Sequence, residues 1–135
     1  GPDIPKNNKV DADVYLQDIM ASALELADIK KPEYVEFNSL MGLARGEQKE
    51  SAYNEIYGAY TKKQRMIRVD GFKLIVYPEA NIMRLYDLNK DPLEMNDIAN
   101  LDENKERVKT LFSKLVALQK TMDDELDLTA VFSQL

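Results

Sequence analysis

The chain has 135 residues, 44% of them hydrophobic and 31% charged, which is the size and composition of one folded domain. Its net charge of -6 argues against a nucleic-acid partner, because phosphate binding requires clustered Lys and Arg. It has no Cys and no His, which excludes disulfides, thiolate metal sites, a cysteine nucleophile and the commonest general base, and no apolar run approaches the ~20 residues that a membrane-spanning helix needs.

The first predicted element is an N-terminal helical segment. Gly1-Pro2 is typical of a protease-cleavage scar and is left out of the fold, and the polar residues 3–12 are expected to be extended. Asp13 or Asp18 could cap the start of the helix, which should end near Asp28. Apolar residues recur at helical spacing on one face, namely Leu16, Ile19, Met20, Ala23, Leu24 and Ala27.

A short helical turn is predicted next. Asn38-Ser39 is placed to cap its start, and Gly46 is placed to end it in the left-handed conformation.

A small antiparallel sheet is predicted for residues 51–90. The β-rich runs 65–69 and 72–77 flank Asp70-Gly71, and this dipeptide indicates a tight hairpin because both of its residues must tolerate positive φ. A further turn and strand occupy residues 78–88, so three or four strands in meander order are expected.

A C-terminal helix is predicted after the sheet. Asn100 and Glu103 have the spacing of a capping box. The apolar face that follows comprises Val108, Leu111, Phe112, Leu115, Leu118 and Met122. Because neither the helix nor the sheet can bury its apolar side alone, the helix should cover one face of the sheet. The predicted fold class is therefore α+β, with a small antiparallel sheet packed against the C-terminal helix.

These elements are assigned to a single domain over residues 3–135. Its predicted parts are a helical lead-in 3–50, the sheet 51–90, a turn with the C-terminal helix 91–125, and a tail 126–135 that carries Leu128, Val131 and Phe132.

Residues 85–99, which read LYDLNKDPLEMNDIA, resemble the signature near the C terminus of formylglycine-dependent (type I) sulfatases. Residues 14–29, 35–47 and 64–77 resemble three other segments of that family. No single piece is specific, but the four occur in the family's order and at plausible spacing. The chain therefore resembles the C-terminal subdomain of a sulfatase of the arylsulfatase or heparan N-sulfatase kind.

Two residues depart from the family pattern. Ala21 stands where the family usually has Pro, and Asp28 stands where it usually has Gly at the end of the helix. Asp tolerates the left-handed conformation less well than Gly, so the departure bears on the geometry of that helix end.

The resemblance implies that the parent enzyme hydrolyses sulfate esters or sulfamates, with saccharide sulfates as the first expectation. In that family the nucleophile is a formylglycine made from Cys or Ser in a C/S-x-P/A-x-R motif, and a divalent cation, usually calcium, holds the sulfate. The serines of this chain lack an Arg four residues later; they are Ser22, Ser39, Ser51, Ser113 and Ser133.

The metal carboxylates and the catalytic His and Lys of the family also lie upstream of the matched region. The resemblance therefore assigns no catalytic or metal-binding residue to this chain, and calcium and formylglycine are expected only in the parent enzyme. It implies a non-catalytic fragment that buttresses the catalytic domain and helps to shape the substrate cleft, in a periplasmic or secreted enzyme.

The segment from Tyr60 to Arg65 is the best candidate for substrate contact. It joins two predicted strands and carries basic and aromatic groups that suit an anionic sugar, so Tyr60, Lys62, Gln64 and Arg65 are the predicted site residues. The alternative is an ordinary charged hairpin tip. Lys73 could also face a sulfate, but the solvated or interface side of a strand is favoured for it.

One segment invites comparison with a calcium loop. Asp87, Asn89 and Asp91 match the first three ligand positions of an EF-hand, but Pro92 replaces its Gly and Ile98 replaces its final Glu. An Asx-rich turn whose side chains bind their own backbone is favoured instead.

The expected partner is the sulfatase catalytic domain of the same parent chain. The isolated fragment is also expected to form a homo-oligomer, because its apolar and aromatic surface exceeds what one helix and a small sheet can bury. An alternative function is an autonomous protein-interaction module that uses an exposed face of the sheet. The sequence upstream of residue 3 in the parent gene would discriminate between the two.

Overall fold

The computed structural model describes residues 3–132. Gly1-Pro2, interpreted above as a cleavage scar, lies outside this range, as do the last three residues of the predicted tail. The described elements, in chain order, are α1 (Asp18–Leu26), α2 (Met41–Arg45), β1 (Ile56–Tyr60), β2 (Gln64–Val69), β3 (Phe72–Tyr77), β4 (Ile82–Asp87), a 3₁₀ turn (Asp102–Asn104), α3 (Lys105–Thr121) and α4 (Thr129–Phe132). They fall into two compact units that meet between Asn54 and Glu55, and each unit is described by itself.

The first unit is built on α1 and α2. No side chain caps α1 at Gln17, so the predicted capping by Asp13 or Asp18 is wrong. The helix ends as predicted near Asp28, which adopts φ 54°. The amide of Ile29 donates to the carbonyl of Leu24 over 2.9 Å, the bond that closes a Schellman motif. The Asp thus keeps the left-handed geometry for which the family usually has Gly.

Helix α2 follows its predicted pattern. The hydroxyl of Ser39 accepts a hydrogen bond from the amide of Met41 over 3.2 Å. Gly46 ends the helix in the left-handed conformation at φ 79°, and the amide of Glu47 donates to the carbonyl of Gly42 over 2.9 Å. The predicted end at Gly46 is confirmed; Ser39 bonds to the first turn, while the N-cap residue itself is Leu40, which makes no side-chain cap.

The second unit contains a four-stranded antiparallel sheet in the order β1-β2-β3-β4. Asp70 and Gly71 form the predicted two-residue turn at φ 51° and 75°, with Val69 paired to Phe72 across it. A Cβ on Gly71 would lie 2.1 Å from Nδ2 of Asn89, so the exposed Asn89 side chain would have to move, but it is the positive φ that favours Gly here. The prediction of a small α+β fold with a meander sheet is confirmed.

Helix α3 covers one face of this sheet. The predicted capping box is wrong, because the helix begins only at Lys105, after the 3₁₀ turn, and Asn104 precedes it without a side-chain cap. The predicted apolar face is buried at four positions, but Met122 is 39% exposed. The core of the unit consists of Ile67, Val69, Leu74, Val76, Leu85, Val108, Leu111, Phe112, Leu115, Leu128 and Val131. Within residues 3–132, no helix is long and apolar enough to span a bilayer.

Candidate functional site

The loop between β1 and β2 brings three of the four predicted site residues to one end of the sheet. Tyr60 ends β1 and pairs across the hairpin with Gln64, the first residue of β2. Thr61 adopts φ 49°, and the amide of Lys63 donates to the carbonyl of Tyr60 over 3.1 Å. Tyr60 is 61% exposed, Lys62 is exposed and Gln64 is half-buried.

The fourth predicted residue, Arg65, points to the opposite face of the sheet. Successive side chains of a strand alternate between its two faces, so Arg65 joins Ile67 and Val69 beneath α3 while Gln64 does not. Arg65 is only 6% exposed. The chain segment is therefore split between a solvent-facing set, Tyr60, Lys62 and Gln64, and one buried cation.

Arg65 is held by a buried polar network. Its Nε and Nη2 donate to the two carboxylate oxygens of Asp124 over 2.5 and 3.0 Å, a bidentate pair. Its Nη1 donates to the carbonyls of Thr61 and Gln64 over 2.6 and 2.8 Å. The hydroxyl of Tyr57 also donates to Asp124. Arg65 thus braces the 60–65 loop from below and ties it to the chain after α3.

The electrostatics of this network follow from its hydrogen bonds and its burial. The bond from Arg65 holds the pKa of the Asp124 carboxyl well below its usual range. Burial, followed by the bond to Asp124, raises the pKa of the Tyr57 hydroxyl. A carboxyl with a depressed pKa contributes stability above about pH 4, the unfolded value, and loses that contribution as the pH falls through the folded pKa.

Two segments that the sequence did not favour as sites have intramolecular partners. Lys73 donates to both carboxylate oxygens of Glu94 over 2.7 and 3.0 Å, which leaves its ammonium in an ion pair. In the segment compared with a calcium loop, Asp87 accepts from the amide of Asn89 over 3.2 Å, so the predicted Asx turn is confirmed. Across residues 3–132, no group of three or more acidic, His or Cys side chains is arranged to hold a metal ion.

The first unit presents a second notable surface, on α1. Most apolar residues of α1 and of the residues that flank it are exposed, whereas Leu24 is half-buried and Ala21 is only 3% exposed. The exposed ones are Leu16 (80%), Ile19, Met20, Ala23, Leu26 (65%) and Ala27. These positions repeat every three or four residues and therefore form one stripe, here called the α1 stripe.

The opposite side of α1 is polar and faces the rest of its own unit. The carboxylate of Asp18, fully buried, accepts from the amides of Asn38 over 3.1 Å and Tyr15 over 2.8 Å, and from the hydroxyl of Tyr53. One turn later, Ser22 accepts from the amide of Leu40 over 2.8 Å. The helix therefore binds its own unit through hydrogen bonds and exposes its hydrophobic side.

With this geometry established, comparison with protein families gives one match. Residues 2–121 match the model of the family "N-sulphoglucosamine sulphohydrolase, C-terminal". The chain belongs to this family. It is the C-terminal subdomain of a sulfatase, as its four sequence segments predicted.

Individual relatives agree with this assignment. The chain is 31% identical over 131 residues to a sulfatase of Formosa agariphila, covering 96% of the chain and 25% of that protein. It is 31% identical over 116 residues to an arylsulfatase of Clostridium perfringens, covering 82% of the chain and 24% of the relative. The chain thus spans about a quarter of the length of these enzymes.

Solved structures share the fold. A 2-O GAG sulfatase superimposes with a TM-score of 0.74 at 22% identity, over 97% of this chain and 32% of that one. A second structure, solved in complex with its substrate D-glucosamine-2-N,6-O-disulfate, gives a TM-score of 0.63 at 25% identity, over 82% of this chain and 25% of that one.

Proposed function

We propose that this chain is the non-catalytic C-terminal part of a sulfatase that hydrolyses sulfate esters or sulfamates of saccharides. The formylglycine nucleophile and the calcium ion would belong to the rest of the parent chain. The sulfatase and arylsulfatase relatives support the reaction. The 2-O GAG sulfatase and the structure in complex with D-glucosamine-2-N,6-O-disulfate support the substrate class.

The observation that carries the docking role is the α1 stripe. A helix that exposes a continuous apolar face is a surface built to be covered, since water contact with it costs about 25 cal/mol for each Å² of apolar area. The chain spans only about a quarter of its sulfatase relatives, so the missing cover is assigned to the catalytic part of the parent. Docking of this face would attach the chain to that part. Separately, the 60–65 loop of the second unit would shape one edge of the substrate cleft.

The docking proposal is tested by comparing the chain with the full-length parent. The double substitution Leu16→Asp and Met20→Asp places charge on the stripe, and Thr110→Asp with Ala117→Asp places equal charge on the exposed side of α3. In the parent, the stripe variant should lose sulfate release from D-glucosamine-2-N,6-O-disulfate and soluble yield, while the α3 variant should keep both. Equal tolerance of both variants would overturn the docking proposal.

The same stripe predicts the behaviour of the chain alone. The isolated chain should self-associate at high concentration, and the Leu16→Asp, Met20→Asp variant should be monomeric by light scattering. It should also release no sulfate, because it contains neither Cys nor a serine in the nucleophile motif. Turnover by the purified chain would contradict the non-catalytic assignment.

One observation favours the alternative of an autonomous interaction module. The chain is 27% identical over 118 residues to an uncharacterized protein of Haemophilus influenzae and covers 60% of that protein's length, far more than its share of the sulfatases. A sulfatase-like region with the nucleophile motif upstream of residue 3 in the parent gene supports the sulfatase assignment. An unrelated upstream domain would instead favour the module.

A further inference from the structure

A row of four side chains crosses the end of the sheet beside the 60–65 loop. Tyr60 pairs with Gln64, and Tyr77 pairs with Ile82. Val76 pairs with Arg65, so Tyr77, the next residue, lies beside Gln64. All four point away from α3, because their strand neighbours Arg65 and Val76 point toward it.

The exposure of this row differs from that of the central part of the same face. Tyr60 is 61% exposed, Ile82 is 45% exposed, and Gln64 and Tyr77 are half-buried. Further along the same face, Ile75 and Tyr86 are only 7% and 6% exposed. Arg84, between Ile82 and Tyr86 on the same face of β4, is exposed, so the accessible surface comprises the row and this neighbouring cation.

The spacing of the two tyrosines follows from the sheet. They lie on strands separated by one intervening strand, so their Cα atoms are about 9.6 Å apart, twice the strand spacing. The negative face of an aromatic ring attracts the positively polarised C–H groups of a sugar ring. Two rings at this separation, with the Gln64 amide between them, cover the length of two linked sugar rings.

The charged residues beside the row indicate which kind of sugar it would bind. Lys62 and Lys63 are exposed in the loop next to Tyr60, and within the described residues neither has a carboxylate partner. By contrast, Lys73 is paired with Glu94 and Lys114 with Glu55. Two free cations beside an aromatic row favour a saccharide that carries sulfate groups. Glu79, exposed in the β3–β4 turn, is the acidic residue at this end of the sheet that opposes such binding.

We infer that Tyr60, Gln64 and Tyr77, with Lys62 and Lys63, form a platform that binds two consecutive rings of a sulfated saccharide. The inference rests on the proposed sulfatase function for its substrate class and adds Tyr77, which the sequence did not predict as a site residue. The platform binds and orients the sugar chain, and no bond is made or broken there.

The test uses the 135-residue chain and titrates it with a heparin-derived disaccharide or its fully desulfated counterpart, followed by NMR. The sulfated sugar should shift the amide resonances of residues 60–64 and 77, and the desulfated sugar should bind more weakly. Tyr60→Leu and Tyr77→Leu should each weaken binding by about two- to tenfold, the value of one stacked ring. Glu79→Gln should tighten it.

Matched controls separate the platform from general charge attraction. Tyr34→Leu removes a tyrosine that is 80% exposed elsewhere, and Lys49→Gln removes an exposed lysine elsewhere; both should leave the affinity unchanged. Lys62→Gln with Lys63→Gln should weaken binding and reduce its salt dependence.

Three results would overturn the inference. The chain could fail to bind the sulfated disaccharide at millimolar concentration, or the Tyr34 and Tyr77 variants could change its affinity equally. The third is a loss of affinity in the lysine variant with no loss in the tyrosine variants. The Leu16→Asp, Met20→Asp variant distinguishes the saccharide platform from the docking of the α1 stripe. It should bind the disaccharide normally in the isolated chain while it fails to support the full-length enzyme. If the platform fails and the stripe result holds, only the saccharide inference is lost.

Discussion

Helices α1 and α3 have similar sequence patterns and opposite environments. Both repeat apolar residues at helical spacing, but α3 buries Val108, Leu111 and Leu115 against its sheet, whereas α1 exposes Leu16, Ile19 and Leu26. Helix α1 instead turns Asp18 and Ser22 toward its own unit and binds it through hydrogen bonds. Periodicity therefore identifies which residues share a face, while only the long-range partners decide whether that face lies inside the folded chain.

The largest expected effect comes from a matched pair of leucines. Leu115 in α3 is fully buried and Leu26 in α1 is 65% exposed. Leu115→Ala should lower the free energy of unfolding by about 2–5 kcal/mol, because it removes buried area and leaves a cavity. Leu26→Ala should change it by less than about 0.5 kcal/mol. Denaturant unfolding followed by circular dichroism measures both, and equal losses would show that α1 buries its apolar face within the isolated chain.

The next effect tests the polar side of α1. Asp18→Ala leaves the amides of Tyr15 and Asn38 and the hydroxyl of Tyr53 without their acceptor, which should cost on the order of 3 kcal/mol. Asp18→Asn keeps one oxygen and should cost less. Hydrogen exchange at the amide of Asn38 reports the loss locally. Unchanged exchange in the alanine variant would mean that this carboxylate does not hold the unit together.

A third prediction concerns the sheet that α3 covers. Gly71→Val places a β-branched residue at φ 75° and pushes its Cβ against the side chain of Asn89. We expect a loss of about 1–3 kcal/mol from strained backbone. Asp70→Gly at the neighbouring turn position serves as a control and should not destabilise the hairpin, since Gly accepts the same φ. An unchanged denaturant midpoint in the valine variant would contradict the turn assignment.

The smallest effect compares the ends of the two helices. Asp28 after α1 and Asp123 after α3 adopt φ 54° and 51°, each at the left-handed position of a Schellman motif. Asp28→Gly and Asp123→Gly should each raise the free energy of unfolding by up to about 1 kcal/mol, because Gly adopts this conformation without a Cβ penalty. A decrease at either site would show that the Asp side chain contributes more than the backbone strain costs.

The sequence predicted local features well. Asp70-Gly71 located the central hairpin and its register, Gly46 located the end of α2, and the apolar repeat of α3 located most of the core face. Each of these depends on a few adjacent residues. The capping box at Asn100 failed because a 3₁₀ turn over residues 102–104 precedes α3, and such a turn gives no distinct pattern.

The sequence pattern did not predict contacts between residues that are far apart in the chain. Arg65 pairs with Asp124 and Asp18 bonds to Asn38 and Tyr53, and no periodicity links residues 59, 20 or 35 positions apart. The candidate substrate loop was found from its basic and aromatic composition, but that composition could not show that Arg65 lies beneath the sheet. Tyr77 could have been added from the hairpin register, since Val76 opposite Arg65 places it beside Gln64.

The central claim is that the α1 stripe is covered in the full-length sulfatase. Oxidation by dilute hydrogen peroxide measures this directly at Met20, which is 54% exposed, with Met41 at 6% and Met95 at 76% as buried and exposed references. In a dilute solution of the isolated chain, Met20 should react at a rate close to that of Met95. In the full-length parent, Met20 should become as unreactive as Met41. Rapid oxidation of Met20 in the folded, active parent would contradict the account.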